Sequence, residues 1–422
     1  MTAAVLIIFV ALLMMGVPVA FTMLLVSIVW LGVDVGWSAL PIVAQRSYAG
    51  ITSFPLLAVP FFILTGIVMN NTGVTEVIFK LVRQTLGRVR GGVGHGNVLA
   101  SVIFSGMSGS AVADSAGLGT VEIKAMVDNG YSRSFAAAVT AASSTIGPII
   151  PPSIPFIVYG AMTNTSIGAL FLAGILPGLL MAVCMMAVVY WMARKQNVPR
   201  ETSAKASEVF GSLVRALPAL AIPILVVGGI VTGTVTPTEA SVVAALYATF
   251  LGAAVYRTLT PTLLLLSLRE TLEFTAKVLL IVGAANVFGW VLSYQGIPQA
   301  VAGAILNVSS DQLIVLLIIC AILLVLGLFM ETLAIMILVI PIFQPIIMQI
   351  GVDPVYFGVL MTMVLMIGLI TPPVGVCLFP VADIAKVPLA SVIKDCVPFY
   401  LAFAAVLVCL LAFPNIVNVF RV

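Results

Sequence analysis

The chain has 422 residues, of which 62% are hydrophobic and 8% are charged, and its formal net charge is +3. Soluble domains carry about 25% charged residues, so this composition excludes an ordinary soluble protein and requires lipid as the outer solvent. The small net charge gives no indication of a nucleic-acid partner.

The first thirty residues are apolar from the start, and they lack the basic segment that begins a signal peptide. We therefore predict membrane helix here, divided into two pieces at Gly16-Val17-Pro18. Similar apolar stretches follow along the chain, without the alternation that is typical of a membrane β-barrel. They predict an all-α polytopic membrane protein with about ten or eleven spans and additional re-entrant pieces.

Basic residues gather in two places, and Lys and Arg concentrate in the cytoplasmic loops of membrane proteins. The two clusters consist of Lys80, Arg83, Arg88 and Arg90, and of Arg194, Lys195, Arg200 and Lys205. The second cluster begins a polar cytoplasmic linker at 196–212. This linker divides the chain into a first half, 1–195, and a second half, 213–422.

Each half contains one Pro-Pro pair, Pro151-Pro152 and Pro372-Pro373, and the two pairs lie 221 residues apart. At this offset five of seven residues are identical between 146–152 and 367–373, and a glycine 45 residues before each pair also matches. Chance alignment of apolar segments is the alternative. The glycine and the Pro-Pro pair match at the same offset without a gap, which favours an internal duplication.

Each half is predicted to contain a re-entrant helical hairpin and then a transmembrane helix that is broken at the Pro-Pro site. The hairpins are expected at about 96–128 and 312–350, and the broken helices at about 133–162 and 354–386. Consecutive prolines unwind a helix because proline lacks a backbone donor and clashes with the preceding turn. The carbonyls that are freed in this way must line a protein cavity or bind an ion. Broken helices at corresponding positions in both halves of a chain indicate a secondary transporter.

The loop charges predict that the two halves are inverted repeats. Arg90 precedes the first hairpin, and Lys124 and Arg133 follow it, so this hairpin should open to the cytoplasm. The second hairpin is entered through 307–311 and left through 351–354, which contain no Lys or Arg. It should therefore open to the outside.

Oxygen-bearing side chains cluster at the hairpin tips and at the Pro-Pro breaks. Such nearly uncharged oxygen ligands suit Na⁺, whereas Zn²⁺ prefers His, Cys or carboxylate ligands. The N-termini of the half-helices at the same places favour an anionic group on the solute. The oxygen-bearing residues are Ser105, Ser108, Ser110, Asp114, Ser143, Ser144, Thr145, Glu331, Thr332 and Thr371.

Simpler roles are open to several of these residues. A Ser or Thr inside a helix can bond to the carbonyl four residues earlier. Asp114 and Glu331 are costly at membrane depth and are therefore functional candidates, although either could instead cap a half-helix. His95 is expected in a Gly-rich surface turn, without a proton-relay role. Asp383 and Lys386 are expected to form an interfacial pair.

Four motifs resemble the large permease (DctM-type) subunit of TRAP transporters, the tripartite ATP-independent periplasmic transporters. They are FSGMSGSAVAD at 104–114, GPIIPPS at 147–153, TPTEA at 236–240 and TPPVG at 371–375. The resemblance covers essentially the whole chain. It implies sodium-coupled import of a carboxylated solute across the bacterial inner membrane by an elevator mechanism, in which hairpins and broken helices move against a scaffold. It also implies two partners, a small four-helix membrane subunit on a separate chain and a periplasmic binding protein that delivers the substrate.

The resemblance further implies two or more Na⁺ ions, with the substrate between the hairpin tips. The implied Na⁺ ligands are Ser105, Ser108, Ser110, Gly147 and Ile150 at one site, and Gly327, Glu331, Thr332, Gly368 and Thr371 at the other. The implied substrate-binding residues are Ser108, Asp114, Ser144, Thr145, Pro151, Pro152, Pro372, Pro373, Val374 and Gly375.

The main alternative is a stand-alone dicarboxylate/sodium symporter or a proton-coupled antiporter with the same hairpin architecture. An intramembrane enzyme is disfavoured because the sequence offers no catalytic motif of His, Cys or paired carboxylates. No Gly-Lys dipeptide is present, which excludes a Walker A loop and hence a pump driven by its own ATP site. Sialic acid, C4-dicarboxylates and other sugar acids are all compatible substrates.

Overall fold

The structure, a computed structural model, describes residues 2–87, 89–198 and 205–420, with side chains at all of these positions except 2–6, 14 and 106–108. Within these ranges the regular structure is helical, and no strand occurs. The predicted class, an all-α membrane protein, is therefore confirmed.

The described part of the first half contains ten α-helices. They are α1 (Thr2–Met14), α2 (Val19–Trp30), α3 (Pro41–Ile51), α4 (Ala58–Asn71), α5 (Val74–Leu86), α6 (Gly92–Ser108), α7 (Ala111–Asp128), α8 (Arg133–Ser144), α9 (Ile154–Thr163) and α10 (Ile167–Lys195). Shorter helical turns occur at Leu31–Val35, Trp37–Ala39 and Phe54–Leu57.

The described part of the second half contains nine α-helices. They are α11 (Ala206–Val231), α12 (Pro237–Phe250), α13 (Pro261–Tyr294), α14 (Ile297–Val308), α15 (Gln312–Gly327), α16 (Thr332–Gln349), α17 (Pro354–Gly368), α18 (Leu378–Ala385) and α19 (Leu389–Ala412). Shorter helical turns occur at Leu251–Val255 and Pro414–Asn418.

Side-chain caps and prolines determine where many of these helices begin. Ser132, Ser153 and Asp353 accept hydrogen bonds from N–H groups in the first turns of α8, α9 and α17. These bonds satisfy donors that have no partner inside the helix. Pro237 and Pro261 are the first residues of α12 and α13, where the missing N–H leaves no bond unmade.

The 221-residue offset of the Pro-Pro pairs extends to the helices. Shifted by 221 positions, α7 (Ala111–Asp128) coincides with α16 (Thr332–Gln349), and the start of α8 coincides with the start of α17. The π-helical turns Leu31–Val35 and Leu251–Val255 lie within one residue of the same offset. The element order therefore supports a duplication that covers most of the chain.

Equivalent helices of the two halves exchange equivalent contacts. α7 packs against α18 and α16 packs against α9, while α8 packs against α19 and α17 packs against α10. Reciprocal contacts of this kind indicate a two-fold relation between similar units. Whether that axis lies in the membrane plane, as inverted repeats require, stays a prediction from the loop charges.

The first arms of the two broken helices form the centre of the molecule. Every residue from Phe135 to Ser144 in α8 and from Val355 to Gly368 in α17 is buried. A helix that is apolar or small on all sides is typical of one enclosed by other helices. Each break therefore starts inside the protein and not at the lipid surface.

Seven helical segments in the described ranges are long and apolar enough to cross a membrane, and five more are apolar but shorter. The count of full-length spans is therefore lower than the ten or eleven predicted. The reason is helix length: α15 has 16 residues and α17 has 15, below the roughly 20 that a spanning helix needs.

The structure agrees with the predictions for the N-terminal helix and differs from them at the linker. The predicted division of the N-terminal helix is confirmed, because α1 ends at Met14 and α2 begins at Val19. In the predicted linker 196–212, residues 199–204 lie outside the described part of the chain. The helix α11 already begins at Ala206, inside that interval.

Two expectations about peripheral residues have opposite outcomes. The prediction of a surface turn at His95 is wrong, because His95 lies in the first turn of α6 and only 7% of its surface is exposed. The glycines there permit close helix packing instead: a Cβ on Gly94 would lie 2.7 Å from a methyl carbon of Val189 in α10. Asp383 and Lys386 do form an exposed ion pair, with Nζ of Lys386 3.3 Å from a carboxylate oxygen of Asp383, and its place at the membrane interface stays a prediction.

Candidate solute and sodium site

The first hairpin turns between α6 and α7 at Gly109 and Ser110, here called the first tip. Gly109 has a φ of +60°, which glycine adopts without strain. A Cβ on Gly109 would lie 3.1 Å from the carbonyl oxygen of Pro152, so the first tip is pressed against the first break, 145–153. The Ser110 hydroxyl accepts a hydrogen bond from the Ala113 N–H at 3.4 Å and so caps α7.

The second hairpin turns at residues 328–331, here called the second tip. Glu331 caps α16, because its Oε2 accepts hydrogen bonds from the N–H groups of Leu333 at 3.0 Å and Ala334 at 3.3 Å. The next residue, Thr332, is 2% exposed, and its hydroxyl has no hydrogen-bond partner among the described residues. A buried hydroxyl without a partner costs free energy, which makes Thr332 a candidate ligand for an ion.

The first break joins α8 to α9 and is buried except at the half-buried Ile150. Its backbone turns sharply, with the Ile149 N–H donating to the Ile146 carbonyl at 2.9 Å. Ser153 closes the break, since its hydroxyl donates to the Pro148 carbonyl and accepts a bond from an N–H in the first turn of α9. The first break is thus held by hydrogen bonds within the protein interior.

The second break, 369–377, joins α17 to α18 and is more open than the first. Pro372 is half-buried and Pro373 is exposed, whereas Pro151 and Pro152 are both buried. The Pro-Pro peptide bond is cis in both breaks. The two breaks therefore share a backbone pattern but differ in their surroundings.

The second break is joined to the second tip through backbone contacts. The Val374 N–H donates to the Leu328 carbonyl at 3.3 Å. Immediately before the second break, Gly368 at the end of α17 lies against Gly327 at the end of α15. A Cβ on Gly368 would lie 2.7 Å from the Gly327 Cα. Two helix ends can meet this closely only where neither carries a side chain.

Side chains of α7 connect the first hairpin to both breaks. The carboxylate of Asp114 lies against Gly147 of the first break, since a Cβ on Gly147 would lie 2.6 Å from Oδ2 of Asp114. The thiol of Cys377, at the end of the second break, interacts with the hydroxyls of Ser115 and Ser144. Polar groups from α7, α8 and both breaks therefore converge in one region.

Two small cavities adjoin the first tip, one of about 80 Å³ and one of about 20 Å³, and we call them the central cavities. The smaller one also reaches the second tip. Cavities of this size admit water molecules or an ion. An organic acid needs a site of roughly 300 Å³ or more, so the surrounding helices must separate to admit one. The polar side chains that line the central cavities are Asn70, Ser110, Asp114, Glu331 and Thr332.

Three helices begin at the smaller central cavity. Its lining includes Ala111, Ile154 and Thr332, which are the first residues of α7, α9 and α16. The N-terminus of a helix carries a partial positive charge of about +0.5 and N–H groups that point outward. Three such ends around one space favour an anion. The carboxylate of Glu331 in the lining of the same cavity, and that of Asp114 in the lining of the larger central cavity, favour a cation.

The predicted hydroxyl ligands mostly have partners in their own helices. Ser105, Ser144, Thr145 and Thr371 donate to carbonyls three or four residues earlier, at distances of 2.6 to 2.9 Å. This is the simpler role that the sequence left open, yet each oxygen keeps a lone pair for a cation. The side chain of Ser108 lies outside the described residues, so its role as a ligand stays a prediction.

The structure brings some of the predicted site residues to the central cavities and leaves others apart. Each tip meets the break with which the sequence grouped it, through Gly109 at the first and Leu328 at the second. The predicted residues in the lining of the central cavities are Ser110, Asp114, Glu331 and Thr332. Those outside this lining are Ser105, Ser144, Thr145, Gly147, Ile150, Pro151, Pro152, Gly327, Gly368, Thr371, Pro372, Pro373, Val374 and Gly375.

Most residues that line the central cavities were not predicted from the sequence, and two of them, Phe274 and Asn70, are of functional interest. Phe274 of α13 lines both cavities and covers the place where the tips meet. Asn70 of α4 lines the larger cavity, and its amide nitrogen would lie 3.0 Å from a Cβ on Gly117. The polar pair Asn70-Asn71 at the end of an apolar run was a usable signal, whereas Phe274 carries none.

A buried polar cluster holds together the helices that lead to the first tip and the first break. The amide nitrogen of Asn97 in α6 donates to the Thr140 hydroxyl at 2.7 Å, and the Ser143 hydroxyl donates to the Asn97 carbonyl oxygen at 2.6 Å. Fully bonded buried networks hold helices in a fixed register. This cluster fixes α6, which leads to the first tip, against α8, which leads to the first break.

The chain matches the family model of the tripartite ATP-independent periplasmic transporter, DctM component, over residues 6–416. It is 43% identical over 404 residues to the sialic acid TRAP transporter large permease protein SiaM of Vibrio cholerae, covering 96% of this chain and 94% of that protein. It is 36% identical over 363 residues to the C4-dicarboxylate TRAP transporter large permease protein DctM of Pseudomonas aeruginosa, covering 86% and 85% of the two chains.

A further relative is longer than this chain. The sialic acid TRAP transporter permease protein SiaT of Haemophilus influenzae is 40% identical over 403 residues. These residues cover 96% of this chain but 65% of SiaT. The sequence described here thus spans slightly less than two thirds of that relative.

Solved structures with low sequence identity share the fold. The Alcanivorax borkumensis YdaH transporter aligns with a TM-score of 0.62 at 15% identity, over 91% of this chain and 90% of its own. Neisseria gonorrhoeae MtrF aligns with a TM-score of 0.62 at 12% identity, over 90% and 84% of the two chains. With the family match over nearly its whole length, this chain belongs to the DctM-component family of TRAP transporters, and it is a multi-pass membrane transport protein and not an enzyme.

Proposed function

We propose that this chain is the permease of a TRAP system that imports a small organic acid together with Na⁺ across the bacterial inner membrane. A periplasmic binding protein hands the solute over, and the hairpins carry it inward by an elevator movement. The observation that supports this best is the meeting of three helix N-termini with two carboxylates at the central cavities.

An anionic solute and a cation need each other at such a site. The N-termini of α7, α9 and α16 attract a carboxylate, while Asp114 and Glu331 repel it. Bound Na⁺ ions would remove that repulsion, so solute and Na⁺ would bind cooperatively. Among the described residues no cluster of three His, Cys, Asp or Glu side chains occurs, which fits Na⁺ better than a transition metal.

The ligands proposed for Na⁺ are the oxygens at each tip and its adjoining break. In the first half these would come from the Ser105–Ser110 tip segment and the 147–151 backbone. In the second half they would come from Glu331, the partnerless Thr332 hydroxyl and the 368–372 backbone. Carbonyls of a broken helix combined with hydroxyls are a known way to coordinate Na⁺ in transporters.

The elevator mechanism is supported by the contrast between the two sides of the central cavities. The hairpins and broken helices, α6–α9 and α15–α18, supply both tips, whereas α4 and α13 supply Asn70 and Phe274. The cavities are too small for an organic acid, so the tips must move relative to α13 during transport. We assign α6–α9 and α15–α18 to a mobile transport domain and the helices around α13 to a scaffold.

The proposed substrate is a small organic anion, with sialic acid as the first candidate. Two relatives with 43% and 40% identity are named as sialic acid transporters, and one with 36% is named for C4-dicarboxylates. A carboxylate is common to both solute classes. The family description also supports the two further subunits, a small membrane subunit and a periplasmic binding protein.

Uptake by proteoliposomes tests the coupling and the partners. The chain would be reconstituted with its small subunit and supplied with radiolabelled N-acetylneuraminate and succinate. Accumulation should require an inward Na⁺ gradient and the binding protein. Robust uptake by this chain alone would contradict the tripartite system and favour a stand-alone symporter, while accumulation driven by a proton gradient without Na⁺ would favour the proton-coupled alternative.

A disulfide cross-link tests the elevator movement. Ser110→Cys with Phe274→Cys would join the first tip to α13, and uptake should stop until a reductant restores it. The matched control joins α4 to α13 through Asn71→Cys and Ser267→Cys, whose native side chains lie 3.1 Å apart. This control should leave uptake unchanged, and full uptake by both cross-linked proteins would contradict the movement.

A further inference from the structure

A third cavity lies apart from the central ones and is much larger. This outer cavity has a volume of about 490 Å³ and lies between α3 and α13 on one side and α9 and α16 on the other. Sites for small molecules have volumes of about 300 to 1,000 Å³. The outer cavity is therefore large enough for an organic acid in the structure as it stands.

Arg46 of α3 is the one charged residue among the described residues that line the outer cavity. Its guanidinium carbon lies over the Trp290 ring, 5.7 Å from the ring centre, which is within the range of a cation–π contact. No carboxylate pairs with Arg46 in the part of the chain that the structure describes. Without a carboxylate partner, the N–H groups of the guanidinium are available for two parallel bonds to a carboxylate.

Uncharged polar groups complete the lining. The Asn286 side chain lies against Gly50, since a Cβ on Gly50 would lie 2.5 Å from its amide nitrogen. The Gln344 carbonyl oxygen accepts a bond from the Tyr159 hydroxyl at 3.3 Å, which leaves its amide nitrogen as a donor. The outer cavity thus combines one cation with neutral amides and has no acidic side chain in its described lining.

In the orientation that the loop charges predict, the outer cavity lies on the periplasmic side. Its lining includes Met162 at the far end of α9, remote from the basic residue Arg133 that begins α8. It also includes Pro345 near the end of α16, which leaves the membrane through the segment 351–354 without Lys or Arg.

The internal repeat does not carry Arg46 into the second half. In this region the two halves align at an offset of 220, because the π-helical turns begin at Leu31 and Leu251 and the helices that follow begin at Pro41 and Pro261. The residue 220 positions after Arg46 is Leu266. Duplication alone therefore does not explain the cation.

We propose that the outer cavity is a receiving subsite for the solute, in which Arg46 binds the carboxylate before the solute reaches the central cavities. This subsite rests on the proposed import of an organic anion. It names a specificity residue, Arg46, and a chemical class of ligand, a carboxylate or a similarly shaped oxyanion. Asn286 and Gln344 would bond to the remaining polar groups of the solute.

Charge-selective labelling tests the subsite without any need for transport. Ser293→Cys, in the cavity lining, would be labelled with anionic and cationic methanethiosulfonates of similar size. Cys184 and Cys409, the two partly exposed native cysteines, would first be replaced by Ala. The anionic reagent should react about tenfold faster than the cationic one. Arg46→Gln should abolish this preference, and Arg133→Gln, which removes an exposed charge elsewhere, should keep it.

Uptake kinetics then connect the subsite to the substrate. For whichever of N-acetylneuraminate, succinate and isethionate is transported, Arg46→Gln should raise KM about tenfold with little change in the maximal rate, and Arg46→Lys should restore part of the loss. The same anion preference in the wild-type and Arg46→Gln labelling experiments would overturn the proposal. If the wild type transports none of the three anions, the proposed function fails, while the labelling result still decides whether the outer cavity selects anions.

Discussion

The carboxylate of Asp114 occupies the space that a side chain on Gly147 would need: a Cβ there would lie 2.6 Å from Oδ2 of Asp114. Asp114 belongs to the first hairpin and Gly147 to the first break, so this contact joins the two elements at the site. A carboxylate at membrane depth is costly, which makes Asp114 a candidate functional residue.

We expect Gly147→Ala to displace the Asp114 carboxylate and to reduce Na⁺-dependent uptake at least about tenfold, as Asp114→Asn should also do. Since both changes act on one contact, the double variant should be no worse than the more severe single variant. Initial uptake rates of the three variants in proteoliposomes provide the measurement. Losses that multiply in the double variant would show that the two residues act independently.

The contact between Gly327 and Gly368 predicts a stability effect. A methyl group on Gly368 would meet the Gly327 backbone at 2.7 Å, and overpacking of this kind costs about 1–3 kcal/mol. Gly368→Ala should therefore lower the unfolding temperature of the detergent-solubilised protein. Gly303→Ala is the matched control, because nothing lies within 4 Å of its Cβ, and it should be neutral or stabilising. Equal behaviour of the two variants would contradict the close contact.

Glu331 should have two separable roles, as helix cap and as charge. Glu331→Gln keeps an acceptor for the Leu333 and Ala334 N–H groups, whereas Glu331→Ala loses it at a cost of about 1 kcal/mol. Both variants should weaken the Na⁺ dependence of uptake, but Glu331→Ala alone should lower the unfolding temperature without Na⁺. A Na⁺ dependence in Glu331→Gln identical to the wild type would exclude the carboxylate as a ligand.

Thr332 allows a test in which stability and Na⁺ binding change in opposite directions. Its buried hydroxyl lacks a partner among the described residues, so Thr332→Val should leave the Na⁺-free protein as stable or make it more stable. The same variant should bind Na⁺ about tenfold more weakly, which corresponds to about 1.4 kcal/mol. Thermal unfolding at increasing NaCl, with choline chloride at equal ionic strength as the control, gives both values.

Thr332→Ser keeps the hydroxyl and serves as the matched variant. It should retain most of the stabilisation by Na⁺, since a ligand stabilises the folded state by RT ln(1 + [L]/Kd) and a similar Kd gives a similar stabilisation. If Thr332→Val and Thr332→Ser respond equally to NaCl, the Thr332 hydroxyl does not bind the ion.

Phe274 should affect the solute and not the ion. It lines both central cavities but offers no oxygen, so Phe274→Ala should raise KM for the solute while stabilisation by Na⁺ stays as in the wild type. Solute titrations of uptake at saturating Na⁺ measure the first effect, and thermal unfolding measures the second. A loss of Na⁺ stabilisation in this variant would mean that the two sites are not separable in this way.

The sequence by itself determined the membrane class, the two Pro-Pro breaks, the 221-residue repeat and the family. These features are local or periodic: apolar length specifies a membrane helix, and proline disrupts a helix wherever it stands. The residues on each side of a turn, such as Ser110 and Glu331, could also be named, because capping chemistry depends on near neighbours. His95 was misjudged because a glycine-rich stretch serves turns and close helix packing equally well.

The tertiary structure alone decided which of these residues meet. Phe274 lies far along the chain from both tips, and nothing in its surroundings within α13 marks it, yet it covers the central cavities. The cation–π contact of Arg46 with Trp290, more than two hundred residues further along the chain, is equally invisible in the sequence. Such contacts depend on how whole helices pack, and helix packing is set by the sum of many weak side-chain contacts instead of by any one motif.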